Sequence, residues 1–252
     1  MKIIGVIPAR YGSSRFPGKP LAMIQGKPMV VHVYERACRA KNLSDVVIAT
    51  DDKRILLEAA RFGAHAVMTR VDHASGSDRI AEVADSLEVD VVVNIQGDEP
   101  LIEPDMIDQV VEPLLEDTSA PMATLKKKIT SWDDFKNPNI VKVVTDNHGY
   151  AIYFSRACIP FPKKGWKEIL EGNLENMPEG EFFRHIGIYA YRKDFLLQYT
   201  KMPAGRLEHV EELEQLRVLE NGFKIKVAET EYETISVDAP EDIEKVLKNI
   251  NS

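Results

Sequence analysis

The sequence predicts an α/β protein: a doubly wound, mostly parallel sheet, with a smaller mixed, β-rich insertion over residues 122–192 inside one domain spanning 1–252. Three observations carry this expectation. Strand-like and helix-like segments alternate four times in the first hundred residues, the order of successive βαβ units. Lys2–Pro8 (KIIGVIP) and Val89–Gln96 (VDVVVNIQ) are apolar and β-branched without strict alternation, as strands covered on both faces are. Beyond residue 122 the regular pattern gives way to short strands and hairpin signals.

Taken in order, the first strand, Lys2–Pro8, is followed by a Gly/Ser/Pro-rich loop, Ala9–Pro20. Pro28 opens a helix to about Ala40, with Val30, Val31, Val33, Tyr34 and Ala37 on its apolar face. Asp45–Thr50 is a strand ending at Asp51-Asp52, Lys53–Phe62 a helix stopped by Gly63, Ala66–Met68 a brief strand and Gly76–Leu87 a helix. Val89–Gln96 is the central strand, and another helix starts near Pro104. Met122–Ile129, Val141–Asp146 and Ala151–Arg156 read as strands, with turn chemistry at Asn147-His148-Gly149. Cys158–Glu181 reads as a long loop with a short helix, and Ile186–Tyr191 as a strand. Leu207–Glu220 reads as one amphipathic helix closed by Asn221-Gly222, with Leu207, Val210, Leu213 and Leu216 turned to the core and most of its carboxylates solvated. Lys224–Glu229 and Ile235–Val237 are the last strands, before a terminal helix Asp242–Ile250 with Pro240 in its first turn.

Charge is unevenly placed. The 252 residues carry 32 Lys and Arg against 40 Asp and Glu, yet the first acid is Glu35. Before it stand Lys2, Arg10, Arg15, Lys19 and Lys27, which leaves 27 basic against 40 acidic residues for the rest. Such a distribution argues against general nucleic-acid or anionic-membrane binding and for a small polyanion held at one place. Two cysteines, Cys38 and Cys158, make no disulfide framework and suit a reducing cytoplasm. No signal-peptide pattern and no apolar run of about 18 residues argue for secretion or membrane spanning.

Pro8–Pro20 (PARYGSSRFPGKP) follows the first strand and so lies at the carboxyl edge of the sheet, where open α/β folds bind ligands. Its Gly and Ser residues let backbone N–H groups face a phosphate, and Arg10, Arg15 and Lys19 add charge. It is not a Walker A loop, because five residues separate Gly12 from Gly18 and Pro20 stands where Ser or Thr would bind magnesium. Asn94–Pro100 (NIQGDEP) brings Asp98 to the same edge as a magnesium ligand, with capping of the helix near Pro104 as the alternative. Asp238 is a second such ligand or a helix N-cap. Thr69–Arg79 (TRVDHASGSDR) could read a base edge or a ribose, or Ser75 and Ser77 could merely cap the next helix. Arg156 suits a substrate carboxylate held bidentately, and His185 a sugar hydroxyl or second anion.

The segments PARYGSSRFPGKPL, HASGSDR, VNIQGDEP, NPNIVKVV, YFSR, FRHIGIYAYR, LEHVEELEQLRVLENG and SVDAPEDIEKV resemble those of the 3-deoxy-manno-octulosonate cytidylyltransferases, or CMP-Kdo synthetases, in order and over nearly the whole chain. The resemblance implies a nucleotide-diphospho-sugar transferase-like fold. It also implies a cytoplasmic homodimer that joins CTP to 3-deoxy-D-manno-octulosonate (Kdo), with Mg²⁺, for lipopolysaccharide biosynthesis. By matching position, Arg10, Lys19, Asp98 and Asp238 would be catalytic, the two aspartates as metal ligands. Ala9, Arg10, Ser13, Ser14, Arg15, Lys19, Arg70, Asp72, Ser75 and Gln96 would contact the nucleotide. Gln96, Arg156, His185, Tyr189, Glu214 and Gln215 would contact the sugar acid, the last two against the solvated reading of their helix. Ser77 and Asp78 stand where Thr and Glu are common. The alternatives are another acid sugar, such as an amino-substituted octulosonate, and a non-catalytic nucleotide-binding module. A glycosyltransferase is disfavoured, since Asp98 is followed by Glu99-Pro100 rather than completing an Asp-x-Asp pair.

Overall fold

A computed structural model describes residues 1–12, 16–172, 177 and 182–250 of the chain. In chain order the strands are β1 (Ile3–Ala9), β2 (Met23–Ile24), β3 (Lys27–Pro28), β4 (Asp45–Thr50), β5 (Ala66–Met68), β6 (Val91–Asn94), β7 (Met122–Lys128), β8 (Lys142–Thr145), β9 (Ala151–Ser155), β10 (Phe183–Arg192) and β11 (Ile225–Glu229). The helices are α1 (Met29–Ala37), α2 (Lys53–Arg61), α3 (Gly76–Asp85), α4 (Pro104–Glu116), α5 (Trp132–Lys136), α6 (Trp166–Glu171), α7 (Lys193–Tyr199), α8 (Arg206–Glu211), α9 (Leu216–Glu220) and α10 (Asp242–Asn249). The chain divides into two compact units, one of Met1–Glu112, Ile188–Lys201 and Tyr232–Ser252, the other of Pro113–Gly187 and Met202–Glu231.

In the first unit β6, β1, β4 and β5 lie side by side and parallel, and residues Tyr189–Arg192 of β10 add an antiparallel edge to β6. Val91, Val92, Val93 and Ile95 have no exposed surface, which accounts for a run with no polar alternation. Each such side chain contributes on the order of 1.5–3 kcal/mol by its burial. The chain passes from β1 outward to β4 and β5, then returns to place β6 on the other side of β1. The order reverses between β1 and β6, and ligands of open α/β sheets bind at such a reversal, outside the carboxyl ends of the strands. The loops after β1 and β6 carry Arg10, Lys19 and Asp98.

The second unit holds β7 paired parallel to β11, and the antiparallel hairpin β8–β9. Gly149 takes the left-handed conformation (φ 76°) that the turn of this hairpin requires. Ile129, Phe135 and Phe182 form a buried cluster with Trp132, Trp166, Met177 and Cys158 packed against it.

Several sequence expectations are corrected. Leu207–Glu220 is two helices, α8 and α9, because Glu212 adopts a left-handed conformation (φ 52°). The break rotates the two halves, so Val210 is 75% exposed instead of facing the core. Glu208 is buried and pairs with Arg217 (Nε to Oε2 2.7 Å). Ile235–Val237 is no strand, although Val237 is fully buried and Ile235 packs beside it. Val237 N donates to Asp98 O at 2.9 Å, a single bond where a ladder needs several. A β2–β3 hairpin turning at Gln25 and Gly26, both at positive φ, and the helices α5 and α7 were not expected.

Candidate functional site

In the first unit β1 ends at Ala9, which is 2% exposed and paired with Thr50 of β4. Arg10 is exposed and has no hydrogen-bond partner among the described residues. Ser13, Ser14 and Arg15 lie outside the described residues. The loop ends are joined by Gly18 N donating to Tyr11 O at 2.9 Å, and the Arg54 guanidinium stacks 3.4 Å from the Tyr11 ring centroid. Gly18 sits at φ 74°, where a Cβ would come 3.1 Å from the Tyr11 ring. Only glycine fits both constraints. A short 3₁₀ turn, Lys19–Leu21, then starts with the Lys19 side chain turned inward (17% exposed).

The loop after β6 reaches the same place. A Cβ on Gly97 would stand 2.9 Å from Pro8 O, so the absence of a side chain allows this loop to lie against the end of β1. Asp98 Oδ2 thereby accepts from Lys19 Nζ at 2.6 Å. The Val237–Asp98 backbone bond draws in Asp238, whose Oδ1 is 3.8 Å from the same ammonium. Asp242, not Asp238, caps the terminal segment by accepting from the N–H groups of Asp238 and Ala239 at 3.0 Å. Asp98 and Asp238 therefore converge on one cation from two loops far apart in sequence, and neither caps a helix. Gln96 directly precedes this loop and is half-buried.

Among the described residues no group of three or more His, Cys, Asp or Glu could hold a metal ion. Two carboxylates converging on one lysine ammonium nonetheless fit Mg²⁺, a hard cation that takes one or two carboxylates and completes its shell with water and substrate phosphate. The Lys19 ammonium already marks the focus of these two carboxylates as a place for positive charge.

The segment after β5 is tied to α3. Ser75 forms a capping box with Asp78, its hydroxyl accepting from Asp78 N at 3.2 Å and donating to Asp78 Oδ2 at 2.9 Å, so the Ser75 capping alternative is realised. Arg70 grips Asp72 bidentately on the surface, and this holds the Asp72 carboxyl below its ordinary range. Arg70 N donates to Glu82 Oε2 at 3.0 Å, and buried Arg79 reaches Asp51 at 2.7 Å and Arg70 O at 3.3 Å. Arg70, Asp72 and His73 line a cleft of about 490 Å³ with Glu82, Leu197 and Lys201. Tyr189 is half-buried and pairs with Asn94 across β10 and β6.

In the second unit Arg156 follows β9 directly. Its Nε donates to Glu211 O at 2.8 Å and its Nη1 to Pro138 O at 3.2 Å. Glu211 returns a carboxylate to Arg156 N (2.9 Å) and to the Ser155 hydroxyl (2.6 Å). His185 packs edge-on against Phe154, and burial of its ring pushes its pKa down to about 3. The Thr124 hydroxyl donates to Ile186 O at 3.1 Å and stands 2.9 Å from His185 Nε2, which on this assignment carries the proton. A neutral ring suits a sugar hydroxyl better than a second anion. Gln215 is buried and Glu214 exposed, a difference that follows from the helix break before them. Most carboxylates of this stretch were expected to be solvated, and no sequence signal marks Glu211 as an exception, because its partners Ser155 and Arg156 lie far off in sequence.

The cytidylyltransferase family pattern matches residues 4–227. The chain is 53% identical over 250 residues to the 3-deoxy-manno-octulosonate cytidylyltransferase of Geotalea daltonii, covering 99% of this chain and 98% of that protein. It is 52% identical over 252 residues to the enzyme of the same name from Geobacter sulfurreducens, covering 99% of this chain and 100% of that one. The chain belongs to the 3-deoxy-manno-octulosonate cytidylyltransferase family. A solved structure of CMP:2-keto-3-deoxy-manno-octonic acid synthetase complexed with CTP superposes with a TM-score of 0.90 at 42% identity, covering 100% of this chain and 99% of that one. The mostly parallel α/β fold expected from the sequence is therefore the fold of this family. Among the described residues no helix is long and apolar enough to cross a membrane.

Proposed function

We propose that the chain joins CTP to Kdo, releasing CMP-Kdo and pyrophosphate, and that its product feeds lipopolysaccharide biosynthesis. The observation that carries this reading is the convergence of Lys19, Asp98 and Asp238 where the strand order reverses between β1 and β6. A nucleotidyl transfer needs positioning and charge neutralisation more than a covalent partner. Lys19 and Arg10 hold the triphosphate and stabilise the leaving pyrophosphate, together with Ser13, Ser14 and Arg15 of the same loop. The backbone at Ala9 and the side chains of Arg70, Asp72, Ser75 and Gln96 border the nucleotide. Arg156 takes the Kdo carboxylate, while neutral His185, Tyr189, Gln96, Glu214 and Gln215 orient its hydroxyls.

The anomeric 2-hydroxyl oxygen bonds to the α-phosphorus in line, the bond from that phosphorus to the β-phosphate oxygen breaks, and the hydroxyl proton passes to solvent. Asp98 and Asp238 would hold Mg²⁺, which would supply charge neutralisation on the triphosphate and lower the pKa of a nearby hydroxyl. The family resemblance also supports a homodimer and a cytoplasmic setting.

Pyrophosphate release with CTP, Mg²⁺ and a panel of acid sugars tests the reading, with Kdo expected to be the preferred acceptor. Chelation is expected to stop turnover and added Mg²⁺ to restore it. Asp98→Asn is expected to lower kcat by about 10²–10³. Because Asp98 is 30% exposed, the same change should cost at most about 1 kcal/mol of stability. Near-normal turnover of Asp98→Asn at saturating Mg²⁺ would sink the metal role.

A further inference from the structure

Lys142, in β8, is completely buried. A buried ammonium must satisfy its three N–H donors, and this one spends them on backbone carbonyls: Asn137 O at 2.9 Å, Ile140 O at 2.6 Å and Arg156 O at 2.8 Å. Among the described residues no carboxylate forms an ion pair with it, and burial pushes its pKa down. A lysine used only to fill β8 would be replaced without loss by an apolar residue. The three carbonyls explain its presence. Two of them, those of Asn137 and Ile140, bracket the segment Pro138-Asn139, where the Pro138 carbonyl accepts from Arg156 Nη1 at 3.2 Å, and the third belongs to Arg156 itself.

Glu211 closes the frame from the opposite side. Its carboxylate binds Ser155 Oγ and Arg156 N, and its carbonyl accepts from Arg156 Nε at 2.8 Å. The Arg156 backbone is thus held at its N–H by Glu211 and at its C=O by Lys142. Its guanidinium is steered by two further carbonyls, those of Glu211 and Pro138, while Nη2 keeps only a long contact of 3.5 Å to Glu212 O. With Nε and Nη1 each anchored by one carbonyl and Nη2 held only at 3.5 Å, the guanidinium is oriented while its Nη1–Nη2 end keeps N–H donors for a carboxylate.

We propose that Lys142 and Glu211 are positioning residues that aim Arg156 at the carboxylate of the acid sugar without touching it; this rests on the reading of Arg156 as the carboxylate clamp. The test is steady-state pyrophosphate release by the full chain, varying Kdo at saturating CTP and CTP at saturating Kdo. The variants are Lys142→Met, Glu211→Gln, Arg156→Ala and each of the first two combined with the third. Lys142→Met and Glu211→Gln are expected to raise the Kdo KM about tenfold, since small misplacements of a clamp have effects of that order, and to leave the CTP KM within about twofold. In the Arg156→Ala background neither should raise the Kdo KM further, because residues acting through one partner are not additive. Should Lys142→Met fail to fold, Glu211→Gln and its double variant decide.

Parallel rises in both KM values, an unmoved Kdo KM, or additivity with Arg156→Ala would overturn the inference while leaving the proposed activity standing. Absence of wild-type turnover with Kdo would instead overturn that activity and the inference with it.

Discussion

Gly97→Ala is the smallest change that probes how the fold assembles the cluster of Lys19, Asp98 and Asp238. An added Cβ would lie 2.9 Å from Pro8 O, about 0.5 Å inside the 3.4 Å at which ordinary contact begins. The opposing atom is backbone at the end of β1, so no flexible side chain can swing away. Gly97 shows no positive φ, which leaves this steric conflict as the whole perturbation. Relief requires the loop after β6 to retreat from β1 by about half an ångström, carrying Asp98 away from Lys19. Overpacking of this kind costs about 1–3 kcal/mol, or a fall in Tm of roughly 2–10 °C for a chain of this size. A displacement near 1 Å can cost about 10²-fold in rate, so a loss of roughly 10- to 100-fold in kcat is expected. Thermal denaturation and pyrophosphate release measure the two effects on one preparation. A variant with wild-type Tm and wild-type kcat would refute the claim that this close approach places Asp98.

Two further outcomes follow from buried groups. The folded-state pKa of His185, about 3, lies below its ordinary 6.5, so the unfolded chain binds the extra proton between those values. Its contribution is complete above pH 6.5 and is lost as pH falls toward 3, at up to about 1.4 kcal/mol per pH unit; denaturant titrations should show His185→Gln with a shallower acid slope. Arg217→Ala leaves Glu208, only 10% exposed, without its partner. That should cost about 3–5 kcal/mol, clearly more than Arg54→Ala, whose side chain is 59% exposed, as chemical denaturation would read.

The sequence was most informative where local chemistry and tertiary packing agree. Asp45–Thr50 and Ala66–Met68 have the bounds read from the sequence, because short apolar runs between turn residues have few competing fates. The first and fourth parallel strands were legible for the same reason, and the loops after them fixed where Lys19 and Asp98 would emerge. What brings those two side chains within 2.6 Å was not legible. It depends on Gly97 accepting the Pro8 carbonyl, and a lone glycine in a sequence does not reveal what approaches it.

Segments whose conformation is set from afar were misread. Leu207–Glu220 has helical periodicity throughout, and nothing local announces a left-handed glutamate at 212. The reason lies across the unit: Glu211 is held by Ser155 and Arg156, while Glu208 is held by Arg217 beyond the break. A continuous helix would carry the apolar side chain of Val210 inward at the cost of these charged contacts. The structure instead exposes Val210 and keeps both carboxylates engaged. The polar partners, not the apolar stripe, therefore decide the path of the chain at this point. That is why a solvated-face reading fails for Glu211, whose carboxylate is held by Ser155 and Arg156.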